Sequence, residues 1–122
     1  FEISDISVLN KEVFGPVLHI VRFRNETLPQ VVAAINATGY GLTFGMHSRI
    51  DDHIRLLAGS VHAGNIYVNR SMIGATVGVQ PFGGEGLSGT GPKAGGPHYL
   101  LRFVNERTTT INIAAIGGNV RL

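Results

Sequence analysis

Strand-like and helix-like patterns alternate along the first 69 residues, and this alternation constrains the fold more than any other feature. Residues 17–23 (VLHIVRF) are an apolar, β-branched run, which predicts a buried strand. Residues 42–47 and residues 64–69 give two further strand patterns. Because parallel strands need a long crossover, usually a helix, strand–helix–strand–helix–strand predicts an α/β fold with a parallel sheet.

Two amphipathic helices are predicted between these strands. The first has apolar residues at helical spacing: Leu28, Val31, Val32 and Ile35. Thr27 or Asn25 could cap its start, and Gly39 could end it. The second also has an apolar face: Ile50, Ile54, Leu57 and Val61. Ser48 is predicted to open it, with Asp51 as an approximate capping pair.

Residues 64–97 begin as a strand and then break into a loop punctuated by glycine and proline. The chain has 17 glycines, about twice the number expected from an average usage of about 7%. Since glycine lets backbone N–H groups approach another molecule, we predict that this loop faces a ligand. Residues 97–103 then predict a short helix. Residues 108–113 predict a β-rich segment, suited to an edge that pairs with a second subunit.

The loop contains one motif that a different function would also use. Residues 84–89 read GEGLSG and match the GxGxxG fingerprint of dinucleotide-binding folds. That fingerprint needs a strand before it and a helix that starts within it. Pro81 precedes this match, and Pro92 and Pro97 follow it, so we reject the dinucleotide interpretation. A P-loop is rejected too, because Lys93 lacks the required glycine spacing and the following Ser or Thr.

Composition excludes several other classes of function. The formal net charge is only +2 and the basic residues are scattered, so nothing indicates a nucleic-acid surface. No apolar run is long enough to predict a transmembrane segment. The chain has no cysteine, and its five histidines lack the spacing of metal ligands, so we predict no metal site.

Residues 11–16 (KEVFGP) place a carboxylate and an aromatic ring ahead of the first predicted strand. Glu12 can be a solvated loop acid and Phe14 a core residue. Alternatively, a carboxylate at the end of a strand can bind ribose hydroxyls, and a neighbouring ring can flank a nicotinamide. The residues alone leave both interpretations open.

Four motifs then occur in a fixed order: EVFGP, TGYGLT, GNIYVNR and PFGGEGLSG, at residues 12–16, 38–43, 64–70 and 81–89. Together they resemble the C-terminal part of the catalytic domain of the aldehyde dehydrogenase superfamily. The continuations RSMIGATVGVQPFGG and SGTGPKAGGPHYLLRF are similar to glutamate-γ-semialdehyde (Δ1-pyrroline-5-carboxylate) dehydrogenases. The tail TTTINIAAIGGN resembles the dehydrogenase end of bifunctional bacterial proline-utilization flavoproteins.

The resemblance implies a parallel three-layer α/β sheet with a Gly-rich substrate loop and a β-rich tail. Residues 1–104 would be a partial catalytic domain, and residues 105–122 a candidate oligomerisation segment. The rest of the parent enzyme would be a partner, and the parent is expected to be a cytoplasmic homo-oligomer. Peripheral association of the parent with the inner membrane is left open.

The resemblance also implies a reaction. In the family, a cysteine thiolate attacks the aldehyde, hydride passes to NAD, and a glutamate activates the water that releases the acid. Those catalytic residues are expected upstream of Phe1, so the chain alone is expected to be inactive. FAD is expected only if a proline dehydrogenase domain is attached to the parent.

The same resemblance assigns roles to particular residues. Glu12 matches the glutamate that binds the nicotinamide ribose, and Phe14 the ring next to the nicotinamide. The substrate, glutamate γ-semialdehyde, is expected to contact Ser71, Gly74, Ala75 and Phe82. Backbone N–H groups of Gly74 and Ala75 would hold the α-carboxylate, with Ser71 nearby and Phe82 packed on the aliphatic part. Where many homologues carry serine, this chain has Ala75, so a hydroxyl contact is lost.

Two other functions compete with this one. The chain could be an aldehyde dehydrogenase fragment retained for assembly, with no role in substrate binding. It could also be an independent phosphate-binding loop, which the absence of a predicted helix after the glycines disfavours. Because this region packs against further strands in the family, we also expect the chain by itself to expose an apolar face.

Overall fold

The computed structural model describes residues 1–112. Its two helices are α1 (Leu28–Ala37) and α2 (Asp51–Ser60). Its four strands are β1 (Tyr40–Gly41), β2 (Thr43–Met46), β3 (Asn65–Val68) and β4 (Glu85–Gly86). Short 3₁₀ turns occupy Ile6–Val8, Asn25–Thr27 and Tyr99–Phe103.

Strands β2 and β3 form the parallel pair that the sequence predicts. Thr43 lies opposite Asn65 and Met46 opposite Val68, and α2 makes the crossover between the two strands. Strands β1 and β4 pair antiparallel, with Tyr40 opposite Gly86 and Gly41 opposite Glu85. β1 precedes the glycine-rich stretch in the sequence, and β4 lies within it. The glycine-rich stretch therefore returns to β1, in a sheet separate from the β2–β3 pair, and no α-helix follows β4 within the described residues.

Helix α1 begins and ends where the sequence predicts. Gly39 adopts φ +74°, and its N–H donates to the Asn36 carbonyl (3.1 Å), so the helix stops at the residue that tolerates this geometry. Thr27 occupies the N-cap position, as predicted, but its side chain makes no capping hydrogen bond. Thr27 donates its hydroxyl to the Arg24 carbonyl (2.7 Å), and Asn25 lies in the preceding 3₁₀ turn.

Helix α2 begins at Asp51, three residues after the predicted start. The prediction that Ser48 opens the helix with Asp51 as its capping partner is wrong, because Ser48 is committed elsewhere. Its hydroxyl accepts the Ile50 N–H (3.0 Å), and its backbone N–H and carbonyl both bond to the side chain of Asn69. A residue held in that way cannot join the first turn of the helix.

The small core of the described residues is built from α1, the parallel pair and the residue that follows α2. Its buried apolar residues are Leu28, Val32, Met46, Val61 and Tyr67. Asn36 joins the two helices, since its side-chain amide donates to the Ser60 carbonyl (2.8 Å) and accepts the His62 N–H (2.9 Å). Outside this core many large apolar side chains are exposed, which agrees with the apolar face expected from the family resemblance.

The predicted buried strand at residues 17–23 is wrong. Within the described part of the chain it forms a single parallel bridge, between Ile20 and Glu2, and Leu18 and Phe23 are exposed. A strand needs a neighbour along its length, and here only the first few residues provide one. The sequence pattern reports the apolar character of the segment correctly, but the described residues do not bury it.

The C-terminal predictions are also corrected. Residues 97–103 form a 3₁₀ turn at Tyr99–Phe103 instead of an α-helix. Residues 104–112 contain no regular secondary structure, so the predicted β-rich segment at 108–113 does not form within the described residues, and its last residue lies outside them. The division at residues 104 and 105 stays a prediction.

Candidate functional site

A loop of residues 69–80 leaves the end of β3, and Asn69 sets its direction. Asn69 adopts φ +56°, a left-handed conformation that asparagine tolerates better than most residues. Its side chain accepts the Ser48 N–H and donates to the Ser48 carbonyl, both at 2.9 Å. These two bonds fix the start of the loop to the residues that follow β2.

The loop is also packed against the sheet. A methyl group added at Gly45 of β2 would lie 2.8 Å from Sδ of Met72, so Met72 lies directly on the strand where it has no side chain. Arg70 stacks over the Tyr67 ring at 4.7 Å and donates to the Ser71 carbonyl (3.1 Å). The base of the loop is therefore held on both sides.

At the tip, the backbone N–H groups of residues 73–76 differ in their partners: the outer two donate to side chains, and the inner two do not. The Ile73 N–H donates to the Ser71 hydroxyl (3.3 Å), and the Thr76 N–H donates to Oε1 of Gln80 (3.0 Å). Between them, the N–H groups of Gly74 and Ala75 donate to nothing within residues 1–112. The loop therefore presents two adjacent donors that no group of residues 1–112 accepts.

Gly74 makes this arrangement accessible. It adopts φ +66°, and an added methyl group there would meet nothing within 4 Å, so open space surrounds the turn. Adjacent N–H groups in a turn form a concavity that binds anions. A carboxylate is the group such a pair fits best, because it accepts hydrogen bonds on both oxygens and the bonds are charge-assisted.

Phe82 lies on the segment that follows the loop, and Asn65 holds this segment. Asn65 is the buried polar residue of the described core, only 8% exposed. Its amide donates to the Pro81 carbonyl (3.0 Å) and accepts the Gly83 N–H (3.2 Å), so it brackets Phe82 on both sides. Phe82 itself pairs with Ala94 through two backbone bonds of 3.0 and 2.9 Å. The half-buried ring is thus carried by a rigid backbone.

Glu12 lies apart from this loop, on a groove of about 400 Å³ next to Tyr40, Thr43 and Ser88. Its carboxylate is exposed and can accept hydrogen bonds from hydroxyl groups. Phe14 does not line this groove, and it is 96% exposed. The structure therefore brings Glu12 to a cleft but leaves Phe14 on the surface.

Other candidate sites within residues 1–112 are few. No cluster of three metal-ligating side chains occurs there, and no helix there is long and apolar enough to cross a membrane. Hydrogen bonding from the Ser7 side chain and, second, from the Ser7 backbone N–H (2.8 Å) lowers the pKa of Asp5 below its ordinary value. Asp5 lies in the N-terminal segment, away from the loop.

A sequence model described as the aldehyde dehydrogenase family matches residues 3–109. The chain belongs to the aldehyde dehydrogenase family. Its relatives in this family include the bifunctional protein PutA of Escherichia coli, 63% identical over 106 residues. They also include the 1-pyrroline-5-carboxylate dehydrogenase of Bacillus thuringiensis, 42% identical over 107 residues. The chain spans only 8% and 20% of the lengths of these two relatives, which in turn cover 87% and 88% of it.

Solved structures of the family have the same fold. A mutant of proline utilization A from Bradyrhizobium japonicum matches with a TM-score of 0.84 and 66% identity, over 94% of this chain and 12% of that one. A Thermus 1-pyrroline-5-carboxylate dehydrogenase with bound NAD matches with a TM-score of 0.69 and 45% identity, over 76% of this chain and 18% of that one. The predicted family and fold class are confirmed.

The roles assigned to single residues stay predictions. Sequence reasoning named Ser71, Gly74, Ala75 and Phe82, and the structure places them on the loop and on the segment after it. It missed the three amide side chains that hold these elements: Asn65, Asn69 and Gln80. Asn65 is the first residue of β3 and Asn69 directly follows its last residue; asparagine is unusual at a strand, and this signal could have identified both.

Proposed function

We propose that this chain is the C-terminal part of the catalytic domain of an NAD-dependent dehydrogenase that oxidises L-glutamate γ-semialdehyde to glutamate in proline catabolism. The part described here would anchor the α-carboxylate of the substrate and contact the nicotinamide ribose. Both kinds of relative support this reaction, since one kind is named for 1-pyrroline-5-carboxylate and the other for proline utilization.

One observation carries the proposal: the adjacent N–H groups of Gly74 and Ala75 have no acceptor within residues 1–112 and lie in an open turn. An aldehyde substrate without a charged end would gain nothing from such a pair. A substrate with a carboxylate gains two charge-assisted hydrogen bonds, each worth about 1.5–3 kcal/mol. The loop therefore selects for a negatively charged group at the end of the substrate that is remote from the aldehyde.

Phe82 contributes to the same selection in a different way. A ring packs favourably on the short aliphatic chain between the aldehyde and the α-carbon, because contact removes apolar surface of both partners from water. The Asn65 bracket fixes the backbone on both sides of this ring. Together the loop and Phe82 hold the substrate at its charged end and along its chain, which positions the aldehyde for attack.

The cofactor is assigned to the groove beside Glu12. An exposed carboxylate in a cleft fits a pair of ribose hydroxyls, which can donate to its two oxygens. When bound, NAD accepts the hydride that leaves the substrate. The chain has no cysteine, so the nucleophile must come from elsewhere in the parent, and the isolated chain is proposed to be inactive. A cytoplasmic, homo-oligomeric parent belongs to the same proposal.

The experiment that tests the proposal is Gly74→Pro in the full-length parent enzyme. Proline removes one N–H donor and cannot adopt φ +66°, so the carboxylate loses its anchor. We expect KM for glutamate γ-semialdehyde to rise at least tenfold, corresponding to the loss of about 1.4 kcal/mol or more of binding. Steady-state kinetics at saturating NAD measure this change.

The matched control is Gly95→Pro. Gly95 has a similar backbone angle, φ +72°, and similar open surroundings, but it lies outside the loop. Proline also strains the backbone here, next to Ala94, which pairs with Phe82, so we expect KM for the semialdehyde to rise, but clearly less than in Gly74→Pro, because no substrate-binding N–H group is lost. An unchanged KM in Gly74→Pro, or an equal rise in both variants, would contradict the anchoring role.

A further inference from the structure

Thr76 and Gln80 form a closed turn at the C-terminal end of the loop. The Thr76 N–H donates to the side-chain oxygen of Gln80 (3.0 Å), and the Gln80 N–H donates back to the Thr76 carbonyl (2.9 Å). The Val79 N–H donates to the same carbonyl (3.1 Å). Thr76 is thus held at both its N–H and its carbonyl group.

This turn is connected to the core through the next residue. The Pro81 carbonyl accepts a hydrogen bond from the buried Asn65, so the backbone that carries Gln80 cannot shift freely. Gln80 is half-buried and lines the groove along β3 that Tyr67 and Arg70 also line. The hydrogen bond from the Thr76 N–H to the Gln80 side chain therefore fixes this N–H relative to β3.

We propose that Gln80 is a positioning residue that orients the Gly74 and Ala75 N–H groups toward the substrate carboxylate. The inference deepens the proposed function and rests on it. Thr76 follows Ala75, so fixing the Thr76 N–H fixes the peptide plane between the two residues. This plane meets the peptide plane that carries the Ala75 N–H at the Ala75 Cα atom, so the bond restricts the orientation of that N–H as well. Without the Gln80 acceptor, this plane can rotate, and the Thr76 N–H competes for the same anion in other geometries.

Ser71 supports the same arrangement from the other side. Its hydroxyl accepts the Ile73 N–H (3.3 Å), so one side chain satisfies the donor before the free pair and another satisfies the donor after it. The Ser71 bond is the longer of the two, and it joins residues close in sequence. Gln80 is the one that ties the tip to a segment fixed by the core, and it therefore has the larger effect on orientation.

The test compares two substrates in the full-length parent enzyme with Gln80→Met, which keeps the length of the side chain and removes the acceptor. For glutamate γ-semialdehyde we expect KM to rise about fivefold, as the loss of one hydrogen bond implies, with kcat within about twofold. For pentanal, an uncharged aldehyde of the same chain length, we expect kcat/KM within about twofold of the unmodified enzyme. A general structural defect would lower both activities together.

Two further measurements complete the test. The chain's other glutamine, Gln30, lies exposed on α1, and Gln30→Met supplies the matched control, with unchanged kinetics expected for both aldehydes. Amide hydrogen exchange of the peptide containing Thr76 should be faster in Gln80→Met than in the unmodified enzyme. The inference is overturned if exchange is unchanged, if KM for the semialdehyde does not rise, or if both aldehydes are affected equally.

The two hypotheses fail in distinguishable ways. If Gly74→Pro raises KM for the semialdehyde but Gln80→Met does not, the positioning role is wrong and the carboxylate anchor stands. If neither variant raises it, the anchor itself is wrong. If both raise it and pentanal is unaffected, both are supported.

Discussion

The glycine-rich stretch consists of two regions that use glycine for opposite reasons. In the loop of residues 69–80, an added methyl group at Gly74 would meet nothing within 4 Å. At the packed region formed by Gly64 and residues 81–89, it would collide with backbone: a methyl on Gly64 would overlap the Gly83 carbonyl, and one on Gly84 would lie 2.8 Å from the Gly41 carbonyl. The first region keeps its surroundings open, and the second excludes any side chain.

The difference shows that a glycine count does not identify a ligand site. In the packed region, glycine allows β1, β3 and β4 to approach one another, which is a structural role. In the loop, glycine supplies a positive φ and leaves adjacent N–H groups exposed, and we propose a role in recognition for it. Only a substitution of the loop glycine is expected to alter substrate affinity without altering stability.

The largest effect is expected for Gly64→Ala in the parent enzyme. The new methyl group would overlap the Gly83 carbonyl, and because that atom belongs to the backbone it cannot move aside. We expect the free energy of unfolding to fall by about 3 kcal/mol or more. A lower thermal unfolding midpoint and a lower soluble yield would show this loss. Gly59→Ala in α2 is the control, since nothing lies within 4 Å of the added methyl group and helix propensity favours alanine. Equal stability of the two variants would remove the distinction between the regions.

An intermediate effect is expected for Asn65→Leu. The substitution leaves the Pro81 carbonyl and the Gly83 N–H without their partner, at a cost of about 2 kcal/mol for buried or half-buried polar groups. We expect the thermal unfolding midpoint to fall and KM for the semialdehyde to rise, because Phe82 is released from its bracket. Asn25→Leu, at an exposed position, should change neither quantity. A fall in stability with no change in KM would assign Asn65 a structural role only.

The smallest effect is expected for Val77→Thr, at the tip of the loop. Val77 is 97% exposed, so the substitution removes little packing and changes no hydrogen bond. We expect stability within about 0.5 kcal/mol of the unmodified enzyme, measured by thermal unfolding. A larger loss would mean that another part of the parent covers this side of the loop.

The sequence predicts the local elements best where one segment determines its own structure. The helix pattern at residues 28–35 and the end at Gly39 are confirmed, because apolar spacing and a glycine act locally. The prediction of a strand at residues 17–23 is wrong because a strand needs a pairing partner from elsewhere in the chain, and the described residues supply only one bridge. The predicted start of α2 is wrong because the side chain of Asn69, which is distant in sequence, binds Ser48.

For the site, sequence and family resemblance identify the loop but not what orients it. Gly74 and Ala75 are recognisable as a small-residue turn, whereas Ser71 and Gln80, which we propose to orient their N–H groups, bind the N–H groups on either side of them. Those bonds depend on side-chain geometry that no periodicity encodes. The placement of Phe14 on the surface is likewise a property of the three-dimensional arrangement that its motif does not reveal.

The most direct test of the central claim is a crystal structure of the full-length parent enzyme with L-glutamate, the product, bound. The account predicts that the α-carboxylate oxygens lie about 2.7–3.2 Å from the backbone nitrogens of Gly74 and Ala75. A carboxylate bound to other groups, with those two nitrogens donating to the protein itself, would contradict it.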